Sequence, residues 1–433
     1  MKRQILFATA IAFFCLFAGL YSTQARNTEE TNLTQETNSP QADLSEKIRL
    51  LSSSNPVERA TAACQLGAIG KRAAQAIPQL IQMLGDDTKL SGPIYCNEDG
   101  KGRRFGGGDE STTPGKMAAG ALAGIGAQSV EPLLSVVRNS NPIVRVNAVF
   151  ALGIINDPRT VDPVIAASRD LDPRVRENAA WGMGLKHDKS VVEPLIAVLN
   201  DGESRVREKA AWALGLAGDS RAVEPLTNSL RDQVTSVREQ AAWALGLKGN
   251  SQSVEPLINS LSDSEAQVRA KAAWSLGLKG DNRAVEALMS ALKDGDDEVR
   301  SQAAWALGLK GDHRAVEALN SAMKDSSKGV RKHAAWALGM ILIRDGKAAE
   351  KAADLDIDVK KIRDRDDEKD NESEKESRNL RMPDGGDVPV PIPIPIPVVV
   401  SVPVVTVDVS PKINLGPGGD LPGKTKTKQK ENR

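Results

Sequence analysis

The run Val206-Arg-Glu-Lys-Ala-Ala-Trp-Ala-Leu-Gly-Leu-Ala-Gly-Asp-Ser-Arg-Ala-Val-Glu-Pro-Leu-Thr-Asn-Ser-Leu-Arg-Asp232 is written again and again, with small changes, through the middle of this chain. Its second residue recurs at one constant interval as Arg145, Arg176, Arg207, Arg238, Arg269, Arg300 and Arg331. All six tryptophans, Trp181, Trp212, Trp243, Trp274, Trp305 and Trp336, keep the same interval. A period of roughly 20 to 50 residues marks a stack of supersecondary units, none of which can bury its apolar face alone.

Within one unit Val206, Ala210, Ala213 and Leu214 fall at i, i+4, i+7 and i+8, the apolar stripe of an amphipathic helix, here helix A. Asn55-Pro56, Asn141-Pro142 and Asp172-Pro173 each set a capping side chain before a proline at the first helical position. Gly215 and Gly218 are expected to supply the positive φ that ends helix A. After a short Asp-x-Arg turn, Val223, Leu226 and Leu230 form a second apolar run around Pro225, helix B. Nothing in the unit alternates with period two, so the expected fold is all-α. It is a solenoid of about eight 31-residue αα-hairpins with helix-B faces lining its concave side.

The string Val-Arg-x-x-Ala-Ala-x-Ala-Leu-Gly-x-x-Gly-Asp-x-x-Ala-Val, from Val206 to Val223, resembles the HEAT-like repeat of the phycobilisome-lyase type. The likeness covers most of residues 40–345 and implies a right-handed αα-superhelix of the armadillo type. It implies no single chemistry, because that family includes bilin lyases, deoxyhypusine hydroxylases, DNA-repair relatives and bacterial scaffold proteins. The hydroxylases carry His-Glu pairs for iron, whereas His187, His313 and His333 are followed here by Asp188, Arg314 and Ala334. No His-Glu-x-x-His, Gly-x-Ser-x-Gly or Walker motif occurs either. The expectation is therefore no catalytic residue, no metal and no cofactor; a lyase or oxidoreductase with a bound cofactor is the alternative.

The 433 residues carry 57 basic and 57 acidic side chains with 3% aromatics. A neutral chain lacks the basic face that replaces phosphate counterions, so protein partners are expected and nucleic acid is not. Met1-Lys-Arg, the apolar run Ile5 to Leu20 and Thr23-Gln24-Ala25 read as a signal peptide over 1–25, placing the chain outside the cytoplasm, periplasmic or secreted. The alternative is an uncleaved membrane anchor, although 16 apolar residues fall short of the roughly 20 that span a bilayer. Residues 26–39 are a polar lead-in, 40–345 the solenoid, 346–387 a charged linker and 388–433 a Pro/Val/Ile-rich extended segment with a basic tail. No transmembrane helix is expected in the mature chain, and its oligomeric state is left open.

Two roles are open for the tryptophans. Trp212 lies about 240° around helix A from Val206, off the core stripe, where it either meets a partner or packs on the neighbouring unit beside its Ala211 equivalent. The arginine series reads as a structural ladder paired with Asp170, Asp201, Asp232, Asp263, Asp294 and Asp325, each six residues before the next unit's arginine. Residues 86–114 interrupt the repeat in a loop too long to be a simple connection and gather, beside Cys96, the candidate partner-binding residues Tyr95, Arg103, Arg104 and Phe105. Cys64 and Cys96 either bridge that loop to the first unit or remain free thiols.

Overall fold

The computed structural model describes residues 40–90, 94–96, 104–105, 112–186 and 188–344. The expected signal peptide, lead-in, linker and Pro-rich tail lie outside these residues, as do Arg103 and His187; Tyr95, Arg104 and Phe105 are described by backbone alone. The chain divides into units Met1–Asp366 and Asp367–Arg433, and every described residue falls in the first.

A capping helix, α1 (Pro40–Leu50), precedes eight helical hairpins. Their A and B helices are α2 (Pro56–Ile69) with α3 (Ile77–Met83), α4 (Pro114–Ile125) with α5 (Val130–Val136), and α6 (Pro142–Ile154) with α7 (Val161–Ala167). Next come α8 (Pro173–Gly184) with α9 (Val192–Val198), α10 (Ser204–Ala217) with α11 (Val223–Ser229), and α12 (Thr235–Lys248) with α13 (Val254–Ser260). The series ends with α14 (Ala266–Lys279) and α15 (Ala284–Ala291), α16 (Asp297–Lys310) and α17 (Val316–Ala322), and a further A helix, α18 (Lys328–Arg344). The expected all-helical stack of hairpins is what forms, with one addition. Inside the insertion, β1 (Ile94–Tyr95) and β2 (Arg104–Phe105) pair antiparallel, Ile94 opposite Phe105.

Local chemistry sets the boundaries. Side chains of Asn55, Asn141 and Asp172 accept the N–H two residues on, and each is followed by proline where no donor is needed. A 3-10 turn joins A to B in most units, opened by Asp157, Asp188, Asp219, Asn250 or Asp312 in the same capping role. Helix B therefore starts at Val223, two residues before Pro225.

The expectation for the helix-A glycines needs correcting. Gly218 sits at φ −64, and among the described residues the positive-φ glycines are Gly70, Gly126 and Gly311. Gly218 is small for want of room: its N–H still bonds Leu214 O while an added Cβ would run into that same carbonyl. Gly215 lies inside the helix and serves the packing described below.

Val206, Ala210 and Leu214 from A meet Val223 and Leu226 from B, and their equivalents run through one continuous core. Burying each such valine or leucine contributes about 1.5–3 kcal/mol, so no hairpin is stable without its neighbours. The two layers differ in closeness. Successive A helices touch backbone to backbone: a Cβ built on Gly67, Gly153 or Gly184 would lie 2.9 Å from the Cα of Ala121, Gly182 or Ala213. Between B helices shallow grooves open instead, one of about 480 Å³ between α9 and α11 and one of about 810 Å³ between α5 and α7.

Candidate interaction face

The arginine series holds the frame on which the face is built. Arg207 Nε and Nη2 donate to Asp232 at 2.7 and 2.9 Å, while Nη1 donates to the carbonyls of Asp201 at 2.9 Å and Gly202 at 3.2 Å. Asp232 in turn accepts the Val234 N–H at 2.9 Å, capping the turn into the next unit. One guanidinium thus fastens the turn before its unit and the turn after it. The same geometry joins Arg145 to Asp170, Arg176 to Asp201, Arg238 to Asp263, Arg269 to Asp294 and Arg300 to Asp325, and Arg59 to Asp86 begins the series. Arg331 donates to the carbonyls of Asp325 and Ser326; Asp356, which holds the matching place in sequence for its carboxylate partner, lies outside the described residues. The pairing differs in register from the expected one. The aspartate just before a unit lends that unit's arginine its backbone carbonyl, as Asp232 does for Arg238, and gives its carboxylate to the arginine one unit back, as Asp232 does for Arg207. Arginine bonds hold the Asp170, Asp294 and Asp325 carboxyls below the ordinary range.

A second arginine row went unread in the sequence. Arg159, Arg221, Arg283 and Arg314 fork onto the aspartate that opens their turn and reach back to Glu131, Glu193, Glu255 and Glu286 on the preceding B helix. These pairs are half exposed and contribute little individually. Buried lysines at the ends of A helices were also missed. Lys186 Nζ donates to Leu152 O, Ile155 O and Thr160 Oγ1 at 2.7–2.8 Å, neutralising the carbonyl end of the preceding A helix. Burial pulls its pKa down to about 8, against the pull of Asp157. Lys310 donates to Gly280 O at 2.6 Å in the same way. The signal was present, since Lys186, Lys248, Lys279 and Lys310 all stand on the grid of the repeat.

The tryptophans occupy the outward side of the A layer. Each ring edge lies against a glycine of the preceding A helix: Trp181 on Gly153, Trp212 on Gly184, Trp243 on Gly215, Trp274 on Gly246, Trp305 on Gly277 and Trp336 on Gly308. This glycine gives the ring its seat, and the Ala211 equivalents are fully buried. Phe150, one repeat before Trp181, begins the row; the two rings stack at 5.2 Å, and Trp274 and Trp305 stack at 6.5 Å. Packing does not hide the row. Phe150 and five of the tryptophans are half-buried, and Trp336 is 37% exposed.

One helical turn on from each ring stands an aliphatic side chain that reaches solvent: Ile154, Leu185, Leu216, Leu247, Leu278, Leu309 and Met340. At 38–42% exposure, Ile154, Leu216, Leu278, Leu309 and Met340 are, with Trp336 and Leu171, the large apolar side chains left open among the described residues. The two rows run alongside each other over seven A helices and put half-buried and exposed apolar side chains in line.

The insertion is fastened to the same side. Cys64 stands at the tryptophan position of α2 and is disulfide-bonded to Cys96, Cα to Cα 5.1 Å, directly after β1. Ile94 of β1 is fully buried. The first unit thus carries the insertion where later units carry a ring, and Gly120 of α4, at the tryptophan position between them, faces open space.

The B layer offers less. The groove between α9 and α11 is lined mainly by charged and amide groups, Glu193, Arg221, Glu224, Asn228 and Asp232 among them. The larger one mixes Leu134, Val137 and the 95% exposed Leu171 with Arg138 and Arg169. At the far end of the A layer Ser301 Oγ lies 2.8 Å from His333 Nδ1, and burial lowers the imidazole pKa. Ser301 is 5% exposed, so the pair seals the seam between α16 and α18. Among the described residues no three His, Cys, Asp or Glu side chains gather to hold a metal ion, and no helix is long and apolar enough to cross a membrane.

The comparisons with known proteins agree with this architecture. The family described as HEAT repeats matches residues 161–246, 223–298 and 285–356, and the PBS lyase HEAT-like repeat matches 58–86 and 144–170. No curated protein matches the chain. Among solved structures, Escherichia coli YibA is 18% identical, with 71% of this chain and 99% of that one covered at a TM-score of 0.47. The CpcE–CpcF complex of phycocyanin lyase from Nostoc is 24% identical, covering 52% and 92% at 0.35. Human deoxyhypusine hydroxylase is 21% identical, covering 62% and 96% at 0.27. At these identities and TM-scores the three likenesses carry no argument of their own, and the family models decide the matter. The chain belongs to the HEAT-repeat proteins, with units of the PBS lyase HEAT-like type.

Proposed function

We propose that this protein is a non-enzymatic scaffold, exported from the cytoplasm, that holds protein partners on the outward side of its A layer and on the insertion stapled beside it. The observation that carries the reading is the apolar strip of Phe150, the tryptophans and their aliphatic neighbours, left half open although glycines seat every tryptophan ring. Aromatic side chains that are preorganised and already partly desolvated are the usual anchors of protein interfaces. This reading puts binding on the A layer in place of the helix-B faces expected from the sequence. Export is supported by the segment Met1 to Ala25 and by the Cys64–Cys96 bridge, which persists in an oxidising compartment.

Photo-crosslinkers placed in living cells at Leu216 and Leu278, with Glu224 on the B layer as control, test the binding side. Adducts of the same protein from both A-layer sites, and none from Glu224, are expected; adducts from Glu224 alone overturn the assignment. The reading also falls if the purified protein carries a stoichiometric chromophore or iron, because a lyase or oxidoreductase would then be at work. Fractionation with mass measurement of the mature N-terminus checks export, which predicts a chain starting near Arg26.

A further inference from the structure

The strip is flanked by charges whose sign follows a rule the composition hides. The positions one and two turns before each ring are those equivalent to 205, 208 and 209. In α6 (Ile143, Val146, Asn147) and α8 (Arg174, Glu177, Asn178) they leave no net charge, and the rule holds over the five A helices that follow. In α10 they are Arg205, Glu208 and Lys209, of which Glu208 and Lys209 pair at 3.1 Å and leave one positive charge. In α12 they are Ser236, Glu239 and Gln240; in α14, Gln267, Ala270 and Lys271; in α16, Glu298, Ser301 and Gln302; and in α18, Gly329, Lys332 and His333. With the histidine neutral, five successive units present plus, minus, plus, minus, plus beside the apolar row. Arg205, Glu298 and Lys332 are exposed and Lys209, Glu239 and Lys271 half-buried, so all are within reach of a bound chain.

From this geometry we infer that the A layer binds an amphipathic α-helix running along the stack, with charged flanks that alternate in sign from one heptad to the next. The inference rests on the A layer being the partner-binding side. Neighbouring packed helices stand about 8–10 Å apart, so the strip repeats at that spacing. An α-helix returns the same face every seven residues, about 10.5 Å, close to one unit per heptad. An extended strand returns it every two residues, about 6.8 Å, and falls out of phase with the rings by the second unit. A helix in phase sets one apolar pair into each Trp–Leu step and places its flank opposite Arg205 and Lys209, Glu239, Lys271, Glu298 and Lys332 in turn. Opposite signs meet only if the helix alternates as the stack does, which fixes register as well as affinity.

The test uses the full mature chain and synthetic helices of about 28 residues, four heptads, with leucine at both core positions. One peptide alternates glutamate and lysine flanks by heptad, a second gathers the same charges into two blocks, and a third sets the leucines at every second residue. Tryptophan fluorescence reads occupation of the strip, and sedimentation reads mass. The alternating peptide is expected to bind at least tenfold more tightly than the other two. Lys271→Glu should cost about tenfold, and Glu239→Lys with Lys271→Glu should recover affinity for the block peptide, which is the alternating one with its two middle heptads exchanged. Equal binding of the block peptide by the native chain, failure of the double variant to recover affinity for it, or a chain that closes its own strip as a dimer overturns the inference. Crosslinking of a cellular protein from Leu216 in the face of that result would leave the scaffold reading standing and remove the helix alone.

Discussion

At the scale of single residues, the stack depends on which side chains stand where two units meet. Arg207 makes two bonds to one turn and two to another with 17% of its side chain exposed, so its removal strands Asp232 and two carbonyls together. Arg207→Ala is expected to cost about 2–3 kcal/mol, the range for losing charge-assisted bonds at a largely buried pair. Arg207→Lys should recover less than half of it, because an ammonium cannot fork onto Asp232 while reaching back to Asp201. Denaturant titration decides this, and unchanged midpoints for Arg207→Ala and Arg238→Ala would remove the ladder from the list of stabilising features. Two glycines separate packing from propensity. A Cβ at Gly215 would enter the ring of Trp243, so Gly215→Ala should destabilise by about 1–3 kcal/mol. At Gly120, inside α4 with nothing within 4 Å, the same change should stabilise by up to about 1 kcal/mol. The same melting curves, read side by side, should move in opposite directions.

At the scale of elements, the grid of the repeat made nearly every helix legible, because a unit that must bury itself on its copies repeats its apolar positions without drift. The tryptophans, expected off the core stripe, lie at its flank, five of them half-buried, where Trp212, Trp243 and Trp305 pack against the core, and their glycine seat was not read. Helix A puts Gly215 at about 180° and Trp212 at about 240° from Val206, and only the crossing of two A helices brings one glycine under the next unit's ring. The direction of the arginine ladder was hidden for the same reason. The step forward from an aspartate to the next arginine and the step back to the previous one together make a single period, and sequence does not say which end of the aspartate, carboxylate or carbonyl, faces which arginine. Phe150 and the lysines were on the grid and could have been found by following it past the commonest residue type. The bridge between Cys64 and Cys96 follows no grid, since the insertion breaks it. It closes a loop of 32 residues, which gives a loss on the order of 3–4 kcal/mol from the first units when Cys64→Ser or Cys96→Ser opens it. Mass measurement after alkylation without reductant should find neither thiol labelled, and two labels would show the bridge absent.

At the scale of the molecule, neighbours bond only to neighbours, so the stack should come apart by units and not all at once. Acid is the agent to show it. The aspartates between units, Asp86, Asp170, Asp201, Asp232, Asp263, Asp294 and Asp325, all have carboxyls lowered from their ordinary value. Burial acts to raise them, and the bonds from arginine and backbone N–H outweigh it. A carboxyl lowered in the fold contributes stability that is fully present above its unfolded pKa, about 3.9, and that is lost as pH falls through the folded value. Neutral solutions therefore hold the whole set, and the loss begins below about pH 4. Units inside the described stack take part in one such pair on each flank, as Arg207–Asp232 and Arg238–Asp263 do for α12 and α13. Hydrogen exchange followed by mass spectrometry between pH 7 and pH 3 should show protection lost unit by unit, in steps, as the pairs on each unit's flanks are protonated. Arg238→Ala removes one grip from the middle, and should make α12 and α13 open at a higher pH than in the native chain while leaving α6 and α7 where they were. Simultaneous loss of protection along every helix, in the native chain and the variant alike, would mean that the continuous core and not the turn-to-turn pairs sets cooperativity.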